Sequence, residues 1–271
     1  MNPPFAETSD LNIPGFDLTG QIAVVTGGAG WLGRAMTLAL AAAGAVVVVA
    51  SRDLRRCQTW SEELQHRGYR ALALAVDIGR RESVQALAQA VKAAVGPATI
   101  LVNNAAGGRG ATLDAMTAET WHSVMDSNVT GYFWCCQAFG AEMLARRQGV
   151  VVNVASILGL RGYAPSLIQS AETPPPLSYS TAKGAIISLT RALAAEWGSA
   201  GIRVNALTPG AFPPPGRHAE GAYLQALRSR IPLGRLGDAS EIAGPLLFLC
   251  SPASGYMTGH NLVVDGGWSA S

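Results

Sequence analysis

Thr26-Gly27-Gly28-Ala29-Gly30-Trp31-Leu32-Gly33 follows directly on the apolar run Ile22–Val25 and leads into Trp31–Ala43, a segment of helical periodicity. Gly28, Gly30 and Gly33 satisfy G-x-G-x-x-G between a strand and a helix. Glycines at that junction permit a tight turn and let backbone approach a pyrophosphate, while the helix N-terminus offers free N–H donors to the anion. A tight turn alone would also account for the glycines, which number 31 in this chain. Their place in the first strand–helix unit favours nucleotide binding, with Gly27, Gly30, Trp31, Leu32 and Gly33 as cofactor contacts.

The same alternation continues along the chain. Short, continuous, β-branched runs occur at Ile22–Val25, Val46–Val49, Ala71–Val76, Ile100–Val102, Val150–Val154, Ile202–Ala206 and Asn261–Val264. Such runs predict strands buried on both faces. Helical periodicity lies between them at Trp31–Ala43, Leu54–Arg67, Arg81–Val95, Ala118–Arg146, Tyr179–Trp197 and Ala239–Leu249. Strands alternating with helices predict right-handed βαβ units. The expected fold is α/β: a single-domain, doubly wound Rossmann fold with about seven parallel strands and helices on both faces. Residues 20–271 are expected to form this domain, after an N-terminal extension over 1–19. Two stretches interrupt it: an insertion near 159–177 containing Pro174-Pro175-Pro176, and Pro209 to Gly216 containing Pro213-Pro214-Pro215. Irregular segments of that length after sheet strands usually shape a binding site.

Apolar residues make up 49% of the 271 positions and charged residues 14%, enough for a large core under a lightly charged surface. Part of that surface is expected to lie between subunits. The net charge of +2 and the lack of a basic run with interleaved aromatics argue against a nucleic-acid partner. Cys57, Cys135, Cys136 and Cys250 show no CxxC spacing and read as reduced thiols of a cytoplasmic protein. No metal site is expected. Met1 to Leu18 lacks the basic and apolar regions of a signal peptide. The longest apolar stretch, Ala35 to Ala50, is broken by Gly44 and is too short to span a membrane.

Two further groups carry chemistry. The second strand ends in Ala50-Ser51-Arg52-Asp53. An acidic residue at that tip binds the adenosine ribose hydroxyls of NAD, whereas a small residue followed by arginine suits the 2′-phosphate of NADP. Ser51 and Arg52 therefore favour NADP(H), with NAD(H) still open. Asp53 reads as a helix N-cap, and Arg55 and Arg56 as added charge or solvated helix residues. The second group is Ser178-Tyr179-Ser180-Thr181-Ala182-Lys183. Only two lysines stand against eighteen arginines, and Lys183 is one of them. Residues four apart share a helix face. A nearby ammonium is expected to lower the Tyr179 pKa from its ordinary value near 10, making it a proton donor and acceptor at neutral pH.

Taken in order, the motifs resemble the classical short-chain dehydrogenases/reductases from about Gly20 to the C-terminus. The glycine turn is followed by Val76-Asp77-Ile78, Asn103-Asn104-Ala105-Ala106-Gly107, Ser127-Asn128-Val129-Thr130-Gly131 and Asn153-Val154-Ala155-Ser156. Then come Tyr179 with Lys183, Asn205-Ala206-Leu207-Thr208-Pro209-Gly210, and Asp265-Gly266-Gly267-Trp268. The resemblance implies a nicotinamide cofactor and a carbonyl–alcohol interconversion. It implies adenine contacts at Asp77 and Ile78, and further cofactor contacts at Asn104, Ala105, Ala106, Tyr179, Lys183, Pro209, Gly210 and Phe212. It implies a catalytic set of Asn128, Ser156, Tyr179 and Lys183. Tyr179 would exchange the proton, Lys183 would tune it and hold the nicotinamide ribose, and Ser156 would hold the substrate oxygen. Asn128 would anchor a water linking Lys183 to a relay; its blander reading is a helix-kink residue, and that of Ser156 a strand-end cap. The resemblance also implies a homotetramer, or a dimer as the second choice, and leans toward members acting on sugar acids and polyols.

Three departures stand out. Trp31 occupies a position where the family's glycine pattern has glycine, and the spacing Gly27, Gly30, Gly33 resembles the extended branch that includes epimerases. The interval from Ser156 to Tyr179 is about ten residues longer than usual, the excess falling near Leu167–Leu177. Phe212 and its prolines replace a threonine that often holds the carboxamide. Candidate substrate contacts are Gly108, Arg109, Leu158, Arg161, Tyr163 and Phe212. A nucleotide-binding sensor without turnover, and an epimerase or dehydratase recycling its cofactor, remain alternative functions.

Overall fold

The computed structural model describes residues 15–108, 111–162, 177–214 and 222–270. Seven strands form one sheet: β1 Ile22–Thr26, β2 Val46–Ser51, β3 Ala71–Ala75, β4 Ile100–Asn103, β5 Gly149–Val154, β6 Ile202–Pro209 and β7 Asn261–Val264. Their order is β3-β2-β1-β4-β5-β6-β7, and every neighbouring pair is parallel. The helices among the described residues are α1 Trp31–Ala42, α2 Leu54–His66, α3 Arg81–Val95, α4 Ala118–Met125, α5 Gly131–Arg146, α6 Leu177–Trp197, α7 Ala222–Arg228 and α8 Ala243–Cys250.

The continuous apolar runs have a direct structural counterpart. Val24, Val48 and Val151 point into a core shared with α3, α5 and α6. Their neighbours Val25, Val47, Val49 and Val152 point into the opposite core, with α1, α2 and α8. A strand covered on both faces has no solvent side, so period-2 alternation of polarity is absent. The order of strands reverses direction between β1 and β4, and ligands of such sheets bind at that switch point, beyond the carboxyl ends of the strands.

The glycine turn is fixed by two constraints. Gly27 has φ +65°, in the left-handed region. At Gly33 an added Cβ would lie 2.1 Å from the Gly27 carbonyl oxygen, so α1 can pack this closely on the turn only without a side chain.

Four differences from the sequence reading have local causes. The long helix expected over Ala118–Arg146 is divided by a π-helical turn, Asp126–Thr130. Within it Asn128 donates to the Val124 carbonyl at 2.8 Å and to the Gly107 carbonyl at 2.7 Å, tying the turn to the loop after β4. The last expected helix begins as a 3-10 turn, Ala239–Ile242, and Pro245 falls in the first turn of α8, where its missing N–H is tolerated. β6 extends three residues beyond the expected Ala206, to Pro209. α7 has no counterpart in the sequence reading; its Leu224 and Leu227 gather with Ala211, Leu236 and Trp268 in a small separate cluster. The tracts Met1–Pro14 and Tyr163–Pro176, and with them most of the expected extension and insertion, lie outside the described residues.

Gly33→Ala is expected to destabilise the protein by about 2–3 kcal/mol through overpacking against backbone. Gly244 lies in α8, and a Cβ added there would meet nothing within 4 Å. It should accept alanine with neutral effect or a gain of up to about 1 kcal/mol. Denaturant unfolding of both variants beside the parent measures the contrast.

Candidate active site

A crevice of about 610 Å³ opens at the switch point, within the size range of cofactor sites. Its floor is the turn into α1. Gly30 caps that helix without any side-chain hydrogen bond, so first-turn N–H groups remain available to a ligand. Gly27, Gly30, Trp31, Leu32 and Gly33 all line the crevice. The Trp31 indole nitrogen is buried without a partner. Asn104 bridges from β4 to this turn: its side-chain amide donates to the Thr26 and Gly27 carbonyls, each at 3.1 Å, and its backbone N–H to the Thr26 hydroxyl. Ala105 and Ala106 continue that wall.

At the adenosine end, Ser51, Arg52, Asp53 and Arg56 line the crevice together with Asp77 and Ile78. Asp53 accepts the Arg56 backbone N–H at 3.0 Å and caps α2. Ser51 donates to the Asp53 carbonyl at 3.2 Å and lies 3.0 Å from the Cys57 sulfur. Asp77 accepts from the Gly79 N–H at 3.1 Å and so also shapes its own turn. With the Asp53 carboxylate engaged as a cap, the Arg52 and Arg56 guanidinium groups are the cationic groups lining this part of the crevice, a combination that suits a phosphate. Glycine-bounded backbone donors, an uncapped helix and two guanidinium groups in one crevice fit a dinucleotide with an extra phosphate.

At the other end, Ser156, Tyr179 and Lys183 line the same crevice, with Pro209, Gly210 and Phe212 opposite. Ser156 follows β5 and accepts the Leu158 N–H at 3.2 Å, capping a 3-10 turn as its blander reading required. The Phe212 ring packs on Gly237, where an added Cβ would lie 2.4 Å from a ring carbon. Asn128 is fully buried and is not part of the crevice wall. Its amide nitrogen is held by the Gly107 and Val124 carbonyls and the Ser127 hydroxyl, bonds that hold the helix kink, while its amide oxygen is buried without a partner. Among the substrate candidates, Arg161 is exposed and donates to the Ser269 carbonyl. Arg109 and Tyr163 lie outside the described residues.

Lys183 has partners that sequence reasoning missed. It is 2% exposed, and its Nζ donates to the Val154 carbonyl at 2.7 Å and to the Tyr132 hydroxyl at 3.4 Å. The Tyr132 hydroxyl in turn donates to the same carbonyl at 3.2 Å. No motif flags Tyr132; the available signal is its place four residues after Asn128, on the same helical face.

The expected electrostatics need correction. Tyr179 is not held below its ordinary value: burial pushes its pKa up, and the Ser156 hydrogen bond only partly opposes this. Burial also lowers Lys183 to about 7. Both acceptors of Lys183 are uncharged, so nothing offsets the desolvation of its ammonium. This has a consequence for stability. Below pH 7 Lys183 is charged in both states and the native protein bears the desolvated cation. Above it the native protein releases a proton that the unfolded chain keeps, so stability rises with pH. From about pH 8.5 the trend is opposed by buried thiols, because Cys136 and Cys250 are raised to about 12 by burial and ionise first when unfolded. The thermal midpoint of the ligand-free protein should therefore climb between about pH 7 and 8.5, and this climb should be absent in Lys183→Met.

Among the described residues no cluster of His, Cys, Asp or Glu could hold a metal ion, and no helix is long and apolar enough to cross a membrane. A family model described as Enoyl-(Acyl carrier protein) reductase matches residues 27–269. The galactitol 2-dehydrogenase of Rhizobium johnstonii is 38% identical over 262 residues, spanning 94% of this chain and 97% of that one. The L-tagatose-forming galactitol 2-dehydrogenase of Cereibacter sphaeroides is 39% identical over 266 residues, with the same two shares. Among solved structures, a gluconate 5-dehydrogenase from Burkholderia cenocepacia in complex with NADP and tartrate superposes with a TM-score of 0.86 at 32% identity, covering 96% of this chain and 99% of that one. The chain belongs to the short-chain dehydrogenase/reductase family and is an NAD(P)-dependent oxidoreductase that interconverts a carbonyl and an alcohol.

Proposed function

We propose that this enzyme uses NADP(H) to interconvert a polyol or sugar acid and its keto form, with Tyr179 as the proton-transferring group. The observation that carries the reading is the meeting of Ser156, Tyr179 and Lys183 at one end of a crevice whose other end presents Arg52 and Arg56. The nicotinamide cofactor, when bound, carries the hydride. The Gly27–Gly33 turn and the N-terminus of α1 hold its diphosphate, Arg52 and Arg56 its 2′-phosphate, and Lys183 its nicotinamide ribose. In reduction Tyr179 gives its phenolic proton to the carbonyl oxygen; in oxidation it takes the proton of the alcohol. A phenol made less acidic by burial is a poorer acid and a stronger base. Ser156, which lines the crevice with Tyr179, holds the substrate oxygen in an oxyanion-type role. Asn128 acts on the site through the kink that it holds in place.

The choice of substrate class rests on the relatives named galactitol 2-dehydrogenase and gluconate 5-dehydrogenase. A panel of hexitols, pentitols, aldonates and their keto forms, assayed with NADPH/NADP and separately with NADH/NAD, tests it. Turnover with at least one such pair, faster with the phosphorylated cofactor, is the expected result. Tyr179→Phe should lower kcat by about a thousandfold, within the range of general acid–base catalysis, while NADPH still binds. Near-parental turnover by that variant excludes the mechanism.

Assembly belongs to the same reading. α5 exposes Phe133, beside the kinked turn, and Leu144, near its C-terminal end, and α6 carries apolar residues along its length. A homotetramer pairing these helices would bury them. Sedimentation at micromolar concentration should give a tetramer, or a dimer; a monomer would count against this assembly.

A further inference from the structure

We infer that Tyr132 is a positioning residue of the active site, whose hydroxyl fixes the Lys183 ammonium and through it sets the acidity of Tyr179. The inference rests on the reading of Tyr179 and Lys183 as the proton-transferring pair. It starts from a geometric fact: the Lys183 Nζ lies between two tyrosine rings, 5.2 Å from the centroid of Tyr132 and 5.6 Å from that of Tyr179. Tyr179 reaches it from one helical turn earlier on α6, while Tyr132 comes from α5, with the π-helical turn just before it.

Tyr132 is fully buried and is the largest side chain in that state. A buried phenol ordinarily carries its hydroxyl to one partner. This hydroxyl has two: it donates to the Val154 carbonyl and accepts from Lys183. Hydroxyl, ammonium and carbonyl thus close a triangle with edges of 3.2, 3.4 and 2.7 Å. The corner at Val154 belongs to the strand end that delivers Ser156 two residues later. Removing the hydroxyl takes away one of the two acceptors that hold the buried Lys183 ammonium, and a buried amine with fewer acceptors is less readily protonated.

The titratable groups facing the pair are few. Tyr179 comes from α6 itself, and Tyr132, with Cys135 and Cys136 beside it, from α5. None of these partners carries charge at neutral pH: burial raises Tyr132 and both thiols. The positive charge that favours ionised Tyr179 is therefore that of Lys183, and the hydroxyl that helps to retain it is that of Tyr132. Asn128 precedes Tyr132 by one turn on the same face, but its amide nitrogen is spent on the kink.

The test is Tyr132→Phe, which keeps the ring and removes the oxygen. Alcohol oxidation needs Tyr179 as a base. The midpoint of the variant's pH–rate profile should move up by about one unit, so that on the limb below it the rate at a given pH falls about tenfold. NADPH affinity should stay within about twofold, since the ring still packs. The deciding quantity is that midpoint, which a general folding defect would not shift. A midpoint equal to that of the parent overturns the inference, whatever the absolute rate. Tyr179→Phe, run alongside, separates the two readings: if it is inactive while Tyr132→Phe has the parental midpoint, only the role of Tyr132 falls.

Discussion

The bond from the Lys183 ammonium to the Val154 carbonyl is the contact on which the site depends. It ties α6 to the carboxyl end of β5, and the two chemical groups flank it: Ser156 two residues beyond Val154, and Tyr179 one turn before Lys183. A second brace lies farther along the same helix. The Asn153 side chain donates to the Thr190 hydroxyl at 3.0 Å and accepts from Asn103 of β4 at 2.9 Å. Two attachment points seven residues apart in α6, on adjacent residues of β5, fix both the rotation and the axial position of the helix. All of these side chains are buried, where such hydrogen bonds are strong and leaving one partner unpaired costs about 1–3 kcal/mol. The serine and tyrosine meet because the strand and helix beneath them cannot slide.

The remainder of the crevice follows from sheet topology. Parallel strands end on one side, and the reversal between β1 and β4 leaves the crevice there. Into that crevice the chain places backbone donors at one point and arginines at another, so an anionic ligand is held without any buried carboxylate being asked to accept it. Asp53, next to Arg52 in the chain, is occupied as a helix cap.

The strands and most helix ends were legible because burial on both faces writes itself as unbroken β-branched runs, and these residues pack into the two cores as such runs should. The site was legible where backbone geometry or a helical spacing forces residue type: Gly27, Gly33, Tyr179 with Lys183. The kink was legible only as the second reading of Asn128 and not as a π turn, since such a turn adds one residue to a helix without altering composition, and the three acceptors of the Asn128 amide reveal its form. α7 was missed because it is short and packs in its own small cluster, giving a weak periodic signal. The electrostatics were read backwards for Tyr179. Sequence spacing gives the nearness of a charge, but the burial that outweighs it depends on β5, α5 and α6 closing together.

The choice of lysine at position 183 has a physical reason. Arg203 shows what a retained, half-buried cation demands: its guanidinium donates to the carbonyls of Leu249, Ser251, Ser254 and Met257 and to the Ser254 hydroxyl. An arginine at position 183 would bring five N–H donors to a place that offers one carbonyl and one phenol, and it could not shed its proton. Lysine brings three donors on a compact head, and burial carries its pKa to about 7, so a modest change in surroundings decides whether it is charged. Lys92, the other lysine, is exposed and paired with Glu142 at 2.6 Å, a role that arginine fills equally well elsewhere on this surface, as between Arg235 and Glu241. Among the described cations, burial brings the pKa to about 7 at position 183 alone.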